Sequence, residues 1–410
     1  MDQQSINVKD TLFEITEKYQ GALELLVSAG FENMRDEEQR KTFGKSISLE
    51  MALKLKKINV DTFKEQLLTV INDQQSLTGQ SLQTKQSLKN PLLRVAGVLP
   101  CPVKTPLMEA LENWLRKNNL GERVDYDLRA ASMGVDWIKE TLKRGSADEV
   151  ADIFISAGFD LFFDKDFFGR YKDTGLFADI SGVLHYNRDF ENDYISLKDP
   201  DNQYSMLAVV PAIFLVNTEE LEGRKMPSCW EDILRSEFEQ KVSLPVEDFD
   251  LFNAMLLNIY KSYGEEGVAK LGKSLLKSMH PSQMVKSHIR KEEKPIVTIM
   301  PYFFTKMLFV EGPMVPVWPR DGAIISPIFM LTKQEKREQL KPFVDFLISD
   351  KVGEILSHNG RFPSVNPNVD NRVPREQKYI WLGWDFIKEN DIGALIKSCE
   401  KIFYQAASGV

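Results

Sequence analysis

The stretch LLRVAGVLPCPVKTPLMEALENWLRKN, residues 92–118, decides how the rest of the chain is read. Its opening, 92–100, is a short apolar run ending in proline, which suits a buried strand. From Pro106 onward, Leu107, Leu111, Trp114 and Leu115 share one helical face, and Pro106 suits the first turn. The alternation continues outward. RVDYDLRAA (123–131) reads as a strand, VDWIKETLKRG (135–145) as a helix and VADIFISAG (150–158) as a strand. This β-α-β-α-β order predicts an open, mainly parallel sheet with helices on both faces. Ligands of such sheets sit outside the carboxyl ends of the strands. That rule selects PCPVKT (100–105) and SAGFD (156–160) as candidate ligand loops.

A second rhythm begins with the strand MLAVVPAIFLVN (206–217). It continues with a helix SCWEDILRSEF, a strand KVSLPV (241–246), a long helix DLFNAMLLNIYKSYG, a helical EEGVAKLGKSLLKSM, a strand PIVTIMPY (295–302) and a helix FFTKMLF. VWPRDGAIISPIFML (317–331) then leads to the helices KREQLKPFVDFLISD and KVGEILSHNG. The expected class is α/β with two lobes, 91–205 plus 320–410 and 206–319. The apolar strands at 206–216 and 315–331 pass between them.

Residues 1–71 form a separate unit. Leu12, Ile15, Tyr19, Leu23 and Leu26 make one helical face, and Gly30 is placed to stop it. Ser48 is a good N-cap for a second helix and Asp61 can open a third. Leu26, Phe31, Leu49, Leu53, Phe63 and Leu67 are the expected core of this all-α domain. Residues 72–90 are rich in Gln, Ser and Thr and read as a polar linker, with a polar helical spacer as the alternative.

The chain has 410 residues, 43% hydrophobic and 27% charged, which fits two or three globular domains. With a formal net charge of -8 and no basic block, nucleic acid and anionic membrane surfaces are not expected partners. The cysteines, Cys101, Cys229 and Cys399, lie far apart without a CxxC, as in reduced thiols. No basic start followed by an apolar core opens the sequence, so a cytoplasmic location is expected. It would be periplasmic or extracellular if a signal had been removed. The longest apolar run, 206–216, is too short to cross a bilayer as a helix.

Several residues are candidates for chemistry, each beside a plainer reading. Lys104 and the Thr105 hydroxyl, with free N–H groups at a helix start, favour an anion; an ordinary capped loop is the alternative. Cys101 shares that loop, and as a nucleophile it would need a positioned base that the sequence does not name. Ser156, Ala157 and Gly158 permit close approach of a ligand to the backbone, or simply a tight turn. Asp248 reads first as an N-cap. Tyr302 ends a strand as either a cleft phenol or a half-buried core residue. Arg320 can hold an anion bidentately while Asp321 and Gly322 supply a turn, or the whole is a surface turn. His185, His280, His288 and His358 show no metal-ligand spacing, and no GxGxxG, P-loop or GxSxG occurs. No cofactor or metal is expected. The aromatic GFDLFFDKDFFGRY (158–171) reads as packing.

Four passages resemble type II periplasmic-binding proteins, the solute receptors of ABC importers, in the branch of ferric-iron and similar oxyanion binders. They are KMPSCWEDILRSEFEQKVSLP (225–245), VWPRDGAIISPIFML, FVDFLISDKVGEILSHNGRFPSVNP (343–367) and VADIFISAGFD. Their order and spacing span roughly 92–375. The resemblance implies two lobes joined by hinge strands, a ligand between them and no enzymatic activity. It also turns the loop of Asp248 and Phe249 toward the cleft from the second lobe. Ferric receptors generally use neighbouring tyrosines; here Tyr260 and Tyr263 lie three apart and Tyr302 stands alone, which argues against ferric iron. The first unit resembles a small helical domain of unknown function common in anaerobic bacteria, which implies no activity.

The expected function is therefore a solute-binding protein that closes around a small oxygen-rich or anionic ligand or a metal chelate. The partner would be an ABC transporter or a cytoplasmic protein. Two alternatives stand beside it. One is a regulatory or scaffold protein with the lobes as sensor, favoured by an exposed apolar patch on residues 7–71. The other is an enzyme on the same fold, which would bring Cys101 near His185 or His358.

Overall fold

The computed structural model describes residues 6–409 apart from 20–21, 29–30, 57, 59, 61–62, 65–66, 69–84, 89–90, 132–134, 145–148, 247–248, 280–283, 286, 290–292 and 309–311. The first unit is helical. α1 (Leu12–Lys18) opens on a capping box in which Thr11 Oγ1 accepts from the Glu14 N–H and the Glu14 carboxylate accepts from the Thr11 N–H. The single helix expected through Leu26 is broken: Tyr19 is extended at φ -123° and α2 (Ala22–Ser28) starts afresh. The break lets Tyr19 join the core. Asp36 caps α3 (Glu37–Ser46) and Ser48 caps α4 (Leu49–Leu55). Leu26, Phe31, Leu49, Leu53, Phe63 and Leu67 are all buried in one cluster, as their spacing predicts. Gly30, Asp61 and most of the linker lie outside the described residues. The end of that linker is not free chain, because Lys85–Gln86 forms β1 and pairs antiparallel with β3.

The chain then runs β2 (Leu93–Leu99), α5 (Cys101–Lys117), β3 (Val124–Ala130), α6 (Asp136–Arg144), β4 (Ile153–Ala157) and α7 (Phe159–Phe163). After a ribbon of β5 (Glu191–Asn192) and β6 (Ile195–Ser196) come β7 (Ser205–Asn217), α8 (Trp230–Ile233), β8 (Val242–Leu244), α9 (Phe249–Ser274), β9 (Leu275–Ser278), β10 (Val297–Pro301), β11 (Met314–Val317) and β12 (Ala323–Thr332). The last elements are α10 (Arg337–Leu347), α11 (Asp350–Glu354), β13 (Tyr379–Ile380), α12 (Trp384–Glu389) and α13 (Ile392–Ala407).

Among the described residues one sheet carries the order β1-β3-β2-β4-β12-β7-β10-β8-β9, with β11 also on β7 and β13 on β12. β2 is parallel to β3 and β4, and β8 is parallel to β9 and β10, so each half has the parallel pairing its rhythm predicts. The long antiparallel pair β7–β12 runs through both halves. β4 joins it at one end and β10 at the other. α13 lies along α9, with Phe403 against Phe252 at 5.0 Å between ring centres.

Three local expectations are corrected. α5 starts at Cys101 rather than Pro106: Pro100 is its N-cap and Pro102 fills the first turn, where no N–H is needed. Pro106 therefore sits inside the helix, at the cost of one backbone bond. Leu275–Ser278, expected as helix, is a strand beside β8. Tyr302–Met307 is a short 3-10 turn instead of an α-helix.

Candidate functional site

The site follows from where strands stop. β4 ends at Ala157, level with Ile328 of β12 and Ala208 of β7, and β10 ends at Pro301, level with Ala212 of β7. Between these levels lie Val209–Pro211 and Ile325–Pro327, which pair with no other strand than each other, although Val209 also meets Pro363. At about 3.4 Å per residue, the carboxyl ends of strands from the two halves are offset by about 14 Å along the strand axis, β4 on the outer edge of β12 and β10 on that of β7. Each central strand carries a proline here, which a fully paired strand would not tolerate. The directions of the neighbouring N–H groups explain it. Val209 donates outward to Pro363 O and Ala323 outward to Lys378 O. With period two, the missing donors of Pro211 and Pro327 face the same open outer edges.

Each edge opens on a seam where the halves touch. At the β12 edge, Gly158 follows β4 with φ +105°. A Cβ there would lie 2.5 Å from Asp250 Oδ1 of α9, so glycine lets the two halves meet. Phe159 then stacks on Trp381, 5.7 Å between ring centres, and the aromatic run of 158–171 packs as core. At the β7 edge, the Tyr302–Met307 turn of the second half meets residues 358–362 of the first. Phe303 stacks on Phe362 at 6.1 Å with an interplanar angle of 19°. Arg361 donates to Thr305 Oγ1 and lies 5.3 Å from the Tyr302 ring centre. Lys306 Nζ donates to His358 O at 3.0 Å and Asn359 O at 2.6 Å. Desolvation, and then the charge of Arg361, hold the Lys306 ammonium below the usual lysine range.

The candidate residues divide between these places. Lys104 and Thr105 belong to the first turns of α5 and are half-buried. Val103 beside them abuts Gly360, where a Cβ would come within 2.4 Å of Val103 Cγ1, so the start of α5 borders the second seam. Among the described residues Lys104 has no ionic or hydrogen-bond partner. Ser156 is buried, its hydroxyl donating to Ala157 O, and Ala157 and Gly158 border the first seam. Tyr302 lies on the second seam, edge-on to Trp318 at 5.3 Å. Asp248 and the side chains of Cys101 and Phe249 lie outside the description.

Arg320 and Asp321 belong to the turn that joins β11 to β12. Pro319 O accepts from the Gly322 N–H, closing a tight turn, and the Arg320 N–H donates to Ser228 O. The Asp321 carboxylate accepts from the Trp230 N–H at the start of α8, and Trp230 Nε1 donates to Gly322 O at 2.9 Å. The turn thus locks two of the passages that carry the family resemblance to one another. Arg361, Thr305, Lys306 and Asp250 were not singled out by sequence reasoning. Their signal is tertiary, although the Gly360–Arg361 corner, with Arg361 at φ 49°, is visible as a break before Phe362–Pro363.

A cleft of about 630 Å³ lies elsewhere, on the first half, between residues 185–191 and 367–375. Of the residues singled out in the sequence, His185 lines it, and none of the expected ligand-binding residues does. There His185 Nδ1 lies 3.1 Å from Glu191 Oε1, while His358 Nε2 is 2.8 Å from Asp370 O. Among the described residues no group of three His, Cys, Asp or Glu is arranged to hold a metal, and no helix is long and apolar enough to cross a membrane.

The profile of the bacterial extracellular solute-binding protein family matches residues 148–390, more than half of the chain. The chain belongs to this family. A second profile, a domain of unknown function called DUF1858, matches residues 6–64 of this solute-binding protein. No curated protein matches the sequence. Among solved structures, a ferric binding protein from Campylobacter jejuni is similar at 15% identity and TM-score 0.54, over 77% of this chain and 99% of its own. AfuA from Actinobacillus pleuropneumoniae, solved with exogenous fructose-6-phosphate bound, gives 16% identity and TM-score 0.54, over 78% and 100%. A Trichodesmium protein in complex with iron and citrate gives 12% and 0.54, over 77% and 98%. Likeness at these identities shows the type II periplasmic-binding-protein fold, and the similar proteins are binding proteins.

Proposed function

We propose that this protein binds a small oxygen-rich anion, or a metal chelate of one, between its halves and works by hinge closure about β7 and β12. The carrying observation is the offset over Val209–Pro211 and Ile325–Pro327, toward which strand ends of both halves converge. Closure is then driven only by contacts that the open form lacks. Lys104, unpartnered among the described residues at the start of α5, gives the anionic preference a physical basis. An ABC transporter is the partner this reading implies.

The test is thermal unfolding of the full chain against metabolites, phosphate, sulfate, citrate and ferric citrate. A ligand at a hundred times its dissociation constant adds about 2.7 kcal/mol. A hit weakened by Lys104→Gln supports the reading, and silence across the panel from a well-folded protein sinks it. A second reading, the helical unit as a docking module, is favoured by one observation: Phe43, Met51 and Leu55 on α3 and α4 are 40%, 59% and 72% exposed.

A further inference from the structure

The second seam holds two cations that face each other from opposite halves. Lys306 belongs to the turn after β10, and Arg361 follows the helical segment that ends at Asn359. Their contacts interlock: Arg361 reaches Thr305, next to Lys306, and Lys306 reaches the carbonyls of His358 and Asn359, just before Arg361. Neither has a carboxylate partner among the described residues. The plain reading of Lys306 is a cap on the last carbonyls of that helical segment. It accounts for two of the three ammonium N–H groups and for none of the Arg361 charge. Arg361 uses one N–H on Thr305 and lays its plane near the Tyr302 ring, leaving further donors of its fork unused. Closing the seam therefore brings like charges together, and among the described residues the remaining donors of the exposed Lys306 and the half-buried Arg361 are taken by no protein group, which leaves them open to solvent or to an anion.

We infer that Arg361 and Lys306 form a two-sided clamp for an oxyanion group, a phosphate or a carboxylate, whose binding neutralises the like charges and holds the seam shut. The inference rests on the solute-binding reading and deepens it by naming which residues hold the charged group. The start of α5, with Val103 against Gly360, places Lys104 along the same border. The Arg361 fork suits a pair of anion oxygens and Lys306 acts as a point charge. The anion is held by both halves at once, so binding and closure are one event.

The experiment is thermal unfolding of the full chain and its Arg361→Gln and Lys306→Gln variants. It uses inorganic phosphate or citrate as probe against chloride at matched ionic strength, because screening alone changes like-charge repulsion. The wild type should show saturable stabilisation by at least one probe. Each variant should lose roughly tenfold or more in apparent affinity, since charge-assisted bonds are lost. In chloride alone each variant should be lowered only by the loss of its own seam bonds, so the readout is the further shift that the probe adds over chloride. A merely structural role would lower the variants equally with and without probe, and that result overturns the clamp. So does a wild type that answers neither probe. Variants that keep wild-type affinity for phosphate, citrate or another hit from the metabolite panel overturn the clamp while leaving the solute-binding reading standing. A panel without any hit removes both.

Discussion

Replacing Gly158 with alanine should weaken the contact between the halves. Two costs add. The backbone at φ +105° and ψ 146° lies in a region essentially reserved for glycine, worth about 1–3 kcal/mol for another residue. The new Cβ would stand 2.5 Å from Asp250 Oδ1 and 3.2 Å from its Cγ, so the Asp250 side chain or the whole seam must move. Asp250→Ala removes the collision but not the backbone cost. Thermal unfolding of the wild type, both single variants and the double variant separates the two. Gly158→Ala should lose about 2 kcal/mol or more, which in a domain of a few hundred residues is about 4 °C. The double variant should recover part of it, with a coupling of about 0.5–3 kcal/mol. Small-angle scattering of the single variant should report a larger radius of gyration. A Gly158→Ala protein that melts with the wild type, or strictly additive effects, would refute the contact between the halves.

Two other outcomes follow from local chemistry. Asp321→Ala removes the acceptor of the Trp230 N–H and should cost about 1 kcal/mol in urea unfolding without changing the anion preference. Asp179 is desolvated, yet bonds from Lys198, Ser181 and Ser205 hold its carboxyl below the usual aspartate range. Because its folded value is the lower one, the native state binds fewer protons there. The stabilisation is complete above the unfolded value and is lost as pH falls through the folded one. Asp179→Asn should cost about 3 kcal/mol near neutrality, with the gap from wild type narrowing in acid.

How much of this was legible in the sequence depends on the range of the interaction that decides each feature. The strand-helix rhythm of 92–158 is local, and the parallel sheet follows from it. The helical core around Leu26, Leu49 and Leu53 is also local and is found as its spacing predicts. The family resemblance rested on short passages in order, and the matched profile over 148–390 bears it out. The start of α5 was misplaced because Pro102 and Pro106 compete for the first turn, and spacing alone chose the wrong one. Lys85–Gln86 read as linker because two residues carry no period, while their pairing with β3 is made forty residues away. The largest loss was at the seams. Lys306, Arg361 and Asp250 look like ordinary surface charges until the hinge strands bring the halves together. Pro211 and Pro327 are in plain view, but what they permit depends on which edges of β7 and β12 stay open.

The central claim is that solute sits between the halves. Hydrogen–deuterium exchange of the full chain, with and without the most stabilising compound of the panel, tests it most directly. Slowed exchange is expected in segments of both halves at once: 100–105, 156–160, 301–306 and 355–362. Protection confined to 185–191 and 367–375, the flanking cleft of the first half, would contradict it.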